Sequence, residues 1–249
     1  LDEAVRRVLT VKDAIGLFDN PFRSLDEGRE SRDVRTSAAL RLARSAAARS
    51  IVLLQNKGNI LPFAKTTKVA LIGPLADDPQ NLNGPWAPWG KAEEGVTLAA
   101  ALRRAIDSLT VVKGCNILAS VEGGIDAACA AARGADIVVL ALGESQDMSG
   151  EAHSRTEITL PECQRELAFA VQVVGKPVVV VLSCGRALAL DDSVTGANAV
   201  MVGWFLGSES GNALSDVLLG KLSPAGRLPV SFPQKSGQQP YFYNHKSTG

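Results

Sequence analysis

Ile137-Val-Val-Leu-Ala-Leu-Gly143 decides the fold. Every residue in it is apolar or glycine, with none of the polar alternation of a strand that has one wet face. Such a run needs cover on both faces, as in a parallel sheet packed between helices. Val178-Val-Val-Val-Leu182 repeats the pattern, and its β-branched side chains favour extended backbone. Short apolar runs predict strands over Val69–Ile72, Thr110–Lys113, Ile137–Leu142, Pro177–Ser183, Ala199–Trp204 and Leu228–Phe232. Stretches of helical periodicity separate them: Thr97–Ser108, Gly124–Arg133, Pro161–Val173 and Asn212–Leu219. Strands alternating with helices predict an open α/β sandwich. Ligands of such sheets bind beyond the carboxyl ends of the strands.

Ahead of this region the texture differs. Leu1–Phe18 places Val5, Val8, Leu9, Ala14, Ile15 and Phe18 at helical spacing, and Asp19-Asn-Pro-Phe-Arg23 stops the helix. Ser24–Arg35 is polar and aperiodic and reads as a linker. Ser37–Ala48 is alanine-rich and helical. Beginning with Leu1 rather than Met, the chain reads as a processed or cloned piece of something longer.

Composition narrows the function. The 249 residues are 46% hydrophobic and 21% charged, as in soluble globular proteins. Twenty-six basic residues balance 26 acidic ones, so no net field attracts nucleic acid or an anionic membrane. No apolar run approaches the roughly 20 residues of a membrane span. The cysteines Cys115, Cys129, Cys163 and Cys184 form no CxxC pair, and the only histidines are His153 and His245. A structural zinc site is not expected, nor any other metal. Cys115 and Cys184, at the ends of apolar runs, read as small buried thiols, and one disulfide stays compatible with the sequence.

The nucleotide signatures are missing. The run after Val69–Ile72 is Gly73-Pro-Leu-Ala-Asp77, not GxGxxG, and there is no GxxxxGK[ST] loop. Gly207-Ser-Glu-Ser-Gly211 resembles a nucleophile elbow but carries Glu209 where serine is needed. No cofactor is expected.

What remains is the polar loop after Ile137–Gly143, which carries Glu144, Asp147, Glu151 and Glu157. A loop acid is ordinarily just solvated. Glu157 can favour the N-terminus of the Pro161 helix, and Glu144 can accept from loop amides. Glu151 follows Gly150 and precedes His153 and Arg155, and Arg155 can hold the loop through a carboxylate pair. His153 reads either as a loop hydrogen-bonder or as a base. A proton-donating carboxyl needs a raised pKa, from desolvation or a nearby anion.

The chain as a whole resembles the C-terminal part of a glycoside hydrolase family 3 β-glucosidase of the bacterial periplasmic kind. The residues that carry the resemblance are Leu1-Asp-Glu-Ala-Val-Arg-Arg-Val-Leu9, Gly16-Leu-Phe-Asp-Asn-Pro21 and Ser50-Ile-Val-Leu-Leu-Gln-Asn-Lys-Gly-Asn-Ile-Leu-Pro62. They continue with Val69-Ala-Leu-Ile-Gly-Pro74, Ser149-Gly-Glu-Ala-His-Ser-Arg-Thr-Glu-Ile-Thr-Leu-Pro161 and Gly211-Asn-Ala-Leu-Ser-Asp-Val-Leu-Leu-Gly220, and end with Pro224-Ala-Gly-Arg-Leu-Pro-Val-Ser-Phe-Pro233.

The resemblance implies a three-layer α/β/α sandwich over residues 37–249, with a six-stranded, mostly parallel sheet and one antiparallel edge strand, for which Leu228–Phe232 is the candidate. Residues 1–36 would be the last helix of an absent (β/α)8-like barrel plus a linker. It further implies a retaining glycosidase acting on β-glucosides or oligosaccharides, with Glu151 as acid/base and an aspartate nucleophile in the N-terminal barrel of the same protein. A periplasmic or secreted location is implied too. No residue here matches the nucleophile, so the chain alone is expected to be inactive. Trp86 and Trp89, in Asn83-Gly-Pro-Trp-Ala-Pro-Trp-Gly90, are the implied substrate contacts. Their faces suit sugar rings, and packing against the barrel is the other reading. An apolar face around Trp86, Trp89 and Phe18 would let the chain self-associate, as a homodimer for instance. The alternative function is a non-catalytic carbohydrate-binding or scaffolding module with Glu151 incidental.

Overall fold

The computed structural model describes residues 1–246 and falls into two compact units, Leu1–Arg41 and Leu42 onward. The first unit holds helices α1 (Asp2–Ala14) and α2 (Arg29–Asp33) and the start of α3 (Ser37–Ser50). Helix α2 lies in the stretch read as linker. Asp26 nucleates it: its Oδ1 accepts from the Gly28 N–H at 2.9 Å and its Oδ2 pairs with Arg32 at 2.8 Å.

The second unit is built on strands β1 (Val52–Asn56), β2 (Lys68–Ile72), β3 (Ser108–Val112), β4 (Ile137–Gly143), β5 (Val178–Ser183) and β6 (Ala199–Val202). Helices α4 (Leu98–Ala105), α5 (Gly124–Arg133), α6 (Glu162–Val173), α7 (Asp192–Thr195) and α8 (Ser210–Leu218) connect them. The six strands form one sheet in the order β1-β6-β5-β4-β2-β3, parallel except for β1 against β6. All seven residues of β4 are buried, as the lack of alternation in Ile137–Gly143 requires. One sheet face, with Leu71, Val139, Val181 and Met201, packs on α3, α4 and α8. The other, with Ile72, Leu140, Leu142 and Val180, packs on α5, α6 and α7. The three-layer sandwich and its six-stranded, mostly parallel sheet stand as expected.

The edge strand is a correction. Leu228–Phe232 is not a strand. Pro229 and Pro233 withhold ladder donors, and Leu228 and Val230 stay exposed. The segment is tethered instead by Gly226 N–H donating to the Ile51 carbonyl at 3.0 Å and by Phe232 packing edge-on against Trp204, centroids 6.0 Å apart. The antiparallel edge is β1, in register Val52↔Val202 and Asn56↔Ala199, with an irregularity between Leu53 and Gln55. That bulge and the polar Gln55-Asn56 end hide the strand from an apolar-run reading.

The strand order positions the site. From β2 the chain crosses to β3 on one side, then returns through α5 to place β4 on the other side of β2. The crevice between the carboxyl ends of β2 and β4 is the topological switch point, where open α/β sheets hold ligands.

Candidate active site

Two loops meet at that crevice. The first leaves β2 and carries Trp86 and Trp89. Its base is stapled: Thr97 Oγ1 donates to Asp77 Oδ1 at 2.6 Å while accepting from Ala100 N–H at 3.1 Å as the N-cap of α4. Arg103 pairs with the same Asp77 at 2.9 Å. The second leaves β4 and carries Glu151. Gln146 N–H donates to Asn81 Oδ1 at 2.7 Å, and Asn81 Nδ2 donates to Asp78 Oδ2 at 2.6 Å, so the two loops are bonded to each other. At Gly150, with φ of 111°, a Cβ would come 3.1 Å from Pro85 Cβ, so the acidic loop lies directly on the tryptophan loop.

Between them lies a polar cleft of about 390 Å³, bounded by Asn83 and Pro85 on one side and Gln146, Asp147 and His153 on the other. Glu151, Trp86 and Trp89 do not line it. Glu151 is exposed, and Trp86 and Trp89 are 71% and 91% exposed. The structure therefore brings the sequence-predicted residues to one end of the sheet, on adjoining loops, with their side chains open to solvent. His153, also exposed, donates its backbone N–H to Gly150 O at 3.3 Å, a loop turn.

Beneath the acidic loop is a feature the sequence reading missed. Glu144 is fully buried, an arrangement tolerable only if the charge is paired. Arg155 Nη1 lies 2.5 Å from Glu144 Oε1, and Arg186 Nε stands 3.0 Å from the same oxygen, off the angle of a hydrogen bond. Gly185 N–H donates to Oε2 at 3.2 Å. Arg155 does hold the loop through a carboxylate, and that carboxylate is Glu144. Arg186 comes from the loop after β5, and the signal for it was register. Gly143 pairs with Ser183, so an acid one residue past β4 and an arginine three residues past β5 meet at the same sheet end.

Two of the buried thiols, Cys115 and Cys184, are held protonated. All four cysteines are free, and Cys115, Cys163 and Cys184 are buried. Burial, then the negative charge of Glu144, pushes the Cys184 thiol up to about 12. Burial and the neighbouring Cys163 do the same to Cys115. Protonated buried thiols are poor nucleophiles and metal ligands. Among the described residues no group of three or more His, Cys, Asp or Glu side chains is placed to hold a metal, and no helix is long and apolar enough to cross a membrane.

The α/β sandwich presents an acidic loop and a tryptophan loop side by side at its switch point, and comparison with known proteins gives the family of this domain. Residues 51–249 match the model of the glycosyl hydrolase family 3 C-terminal domain, and the chain belongs to that family. It is 41% identical over its whole length to a periplasmic beta-glucosidase of Salmonella typhimurium, covering 36% of that protein. It is 32% identical over 98% of its length to a beta-xylosidase of Formosa agariphila, covering 35%. The crystal structure of a beta-glucosidase from Listeria innocua, also solved with isofagomine and with glucose, superposes with a TM-score of 0.93 at 42% identity. That superposition covers all of this chain and 34% of the other. The chain thus spans about a third of the length of its relatives.

Proposed function

We propose that this chain is the acid/base-bearing domain of a retaining β-glucosidase that releases terminal non-reducing β-D-glucosyl residues. The observation that carries the reading is Glu151 on a loop at the sheet's switch point, bonded to the loop that bears two exposed tryptophans, in a chain 41% identical to a periplasmic beta-glucosidase. In this reading Glu151 protonates the departing glycosidic oxygen while a nucleophile attacks the anomeric carbon. It then deprotonates the water that frees the sugar. The nucleophile is an aspartate on an N-terminal barrel, of which residues 1–36 are the last helix and linker. Retention places the two carboxyls about 5–5.5 Å apart. An exposed Glu151 is what an acid completed by a second domain looks like in the first domain alone. Trp86 and Trp89 offer apolar faces to the sugar or its aglycone. A periplasmic or secreted location agrees with the Salmonella relative.

Glu151→Gln in the two-domain protein tests this through kcat/KM, which covers only steps up to aglycone departure. The expected loss is about 100-fold or more on alkyl glucosides, whose leaving group needs the proton, and small on dinitrophenyl glucosides. Equal losses on both, or none, would remove Glu151 from the chemistry and leave a carbohydrate-binding or scaffolding module. The chain alone is expected to show no turnover of aryl β-glucosides.

A further inference from the structure

We infer that Arg186, anchored by buried Glu144, is the positioning residue that fixes the Glu151 loop for proton transfer; the inference rests on the acid/base role proposed for Glu151. Glu151 sits between Gly150, with φ of 111°, and Ala152, with φ of 62°. A left-handed alanine is disfavoured, so the loop needs holding from outside to keep this shape. Its own backbone offers turn bonds, Met148 N–H to Ser145 O at 3.1 Å, Ser149 N–H to Gln146 O at 3.4 Å and His153 N–H to Gly150 O at 3.3 Å, and none of these ties Met148 to His153.

Arg186 supplies the hold. Its Nη2 donates to the Met148 carbonyl and, at 2.9 Å, to the His153 carbonyl. Those two carbonyls bracket Ser149–Ala152, the segment that carries Glu151. One guanidinium nitrogen thus sets the span of the acid-bearing turn. The guanidinium is itself fixed, with its Nε 3.0 Å from Glu144 Oε1 and its side chain only 21% exposed. Glu144 is held in turn by Gly185 N–H at 3.2 Å and by the loop's own Arg155, whose Nη2 also donates to Thr159 O at 3.2 Å. Glu144 N–H donates to the Ser183 carbonyl at 2.8 Å, tying the cluster to the end of β5. The clamp therefore joins the loop to the rigid sheet. Proton transfer is sensitive to such placement, since an error of about 1 Å can cost on the order of 100-fold in rate.

A lysine at 186 would keep a positive charge toward Glu144 but lacks the planar fork that meets a carboxylate and two carbonyls together. The experiment compares Arg186→Lys, Glu144→Gln and Glu151→Gln in the two-domain protein, with kcat/KM on an alkyl and a dinitrophenyl β-glucoside and a melting curve for each. Arg186→Lys is expected to lose about 30-fold on the alkyl substrate, several times more than on the dinitrophenyl one, with the fold retained. Glu144→Gln is expected to show the same bias more weakly. Equal losses on both substrates for Arg186→Lys, beside a biased Glu151→Gln, would overturn the clamp and leave the acid assignment standing. An unbiased Glu151→Gln would fail the acid assignment and the clamp with it. Failure of both cluster variants to fold would assign the cluster to stability and overturn the positioning role.

Discussion

Cys184 and Glu144 stand side by side at the ends of adjacent parallel strands, which gives the site a pH signature. The folded thiol loses its proton only near 12, against an ordinary value of 9.0. Between those pH values the unfolded chain has released a proton that the folded chain keeps. Stability contributed by this group is complete below about pH 9 and falls as pH rises toward 12, with a limiting slope of about 1.4 kcal/mol per pH unit. Cys184→Ala is expected to flatten the alkaline limb of a stability–pH curve measured by urea unfolding, and an unchanged slope would contradict the assignment. Gly185 makes a steric demand next door. A Cβ there would lie 2.1 Å from Ser149 Oγ and 2.7 Å from Ser149 Cβ. Gly185→Ala is expected to displace the Glu151 loop and cost about 1–3 kcal/mol, read as a lowered urea midpoint. The role proposed for Glu151 rests on the motif around it. Nothing local separates a catalytic loop acid from a solvated one, because the pKa that would do so depends on neighbours outside the sequence window. Glu144 was harder still, since its burial is set by strand pairing.

Helix α6 shows how an element is fastened to the site. Gln164 on it is fully buried. Its Oε1 accepts from Gly143 N–H at 2.8 Å, and its Nε2 donates to Gly143 O at 2.8 Å and to Ile117 O at 2.9 Å. A primary amide thus completes the hydrogen bonding of the last residue of β4, just before the acidic loop. Gln164→Leu keeps the bulk but leaves those backbone groups unpaired, with an expected loss of about 3 kcal/mol. A change under about 0.5 kcal/mol in chemical denaturation would mean that water or a shifted backbone replaces the amide. At this scale the sequence was most legible where period and composition agree. Gly124–Arg133 is helical over its expected range, and Pro161 caps a helix ending at Val173 as expected. Legibility failed where tertiary contact decides. Ser108 belongs to β3 rather than to the preceding helix, and β1 exists because β6 offers it an edge. Leu228–Phe232 has strand composition, but Pro229 within it and Pro233 just after it withhold ladder donors.

The whole second unit is a frame that presents two loops at one sheet end. Its switch point follows from a single reversal of direction, β3 to one side of β2 and β4 to the other. That reversal explains why residues more than sixty positions apart, Trp86 and Glu151, share a neighbourhood. The alternation of strands and helices disclosed the layers, but strand order depends on which edges pair and is absent from any local pattern. Exposed Trp86 and Trp89 carry apolar area that water does not favour. The chain is expected to self-associate at high concentration in sedimentation, and Trp86→Ser with Trp89→Ser to suppress it; a strictly monomeric parent would count against that. The claim that Glu151 is the acid/base of a retaining reaction is tested most directly by Glu151→Ala in the two-domain protein, given dinitrophenyl β-glucoside and azide. Without the base, water attacks the glycosyl-enzyme slowly, whereas azide needs no deprotonation. Faster turnover with azide and accumulation of β-glucosyl azide is the expected result. Turnover equal to that of the parent, or an α-glucosyl azide, would contradict it.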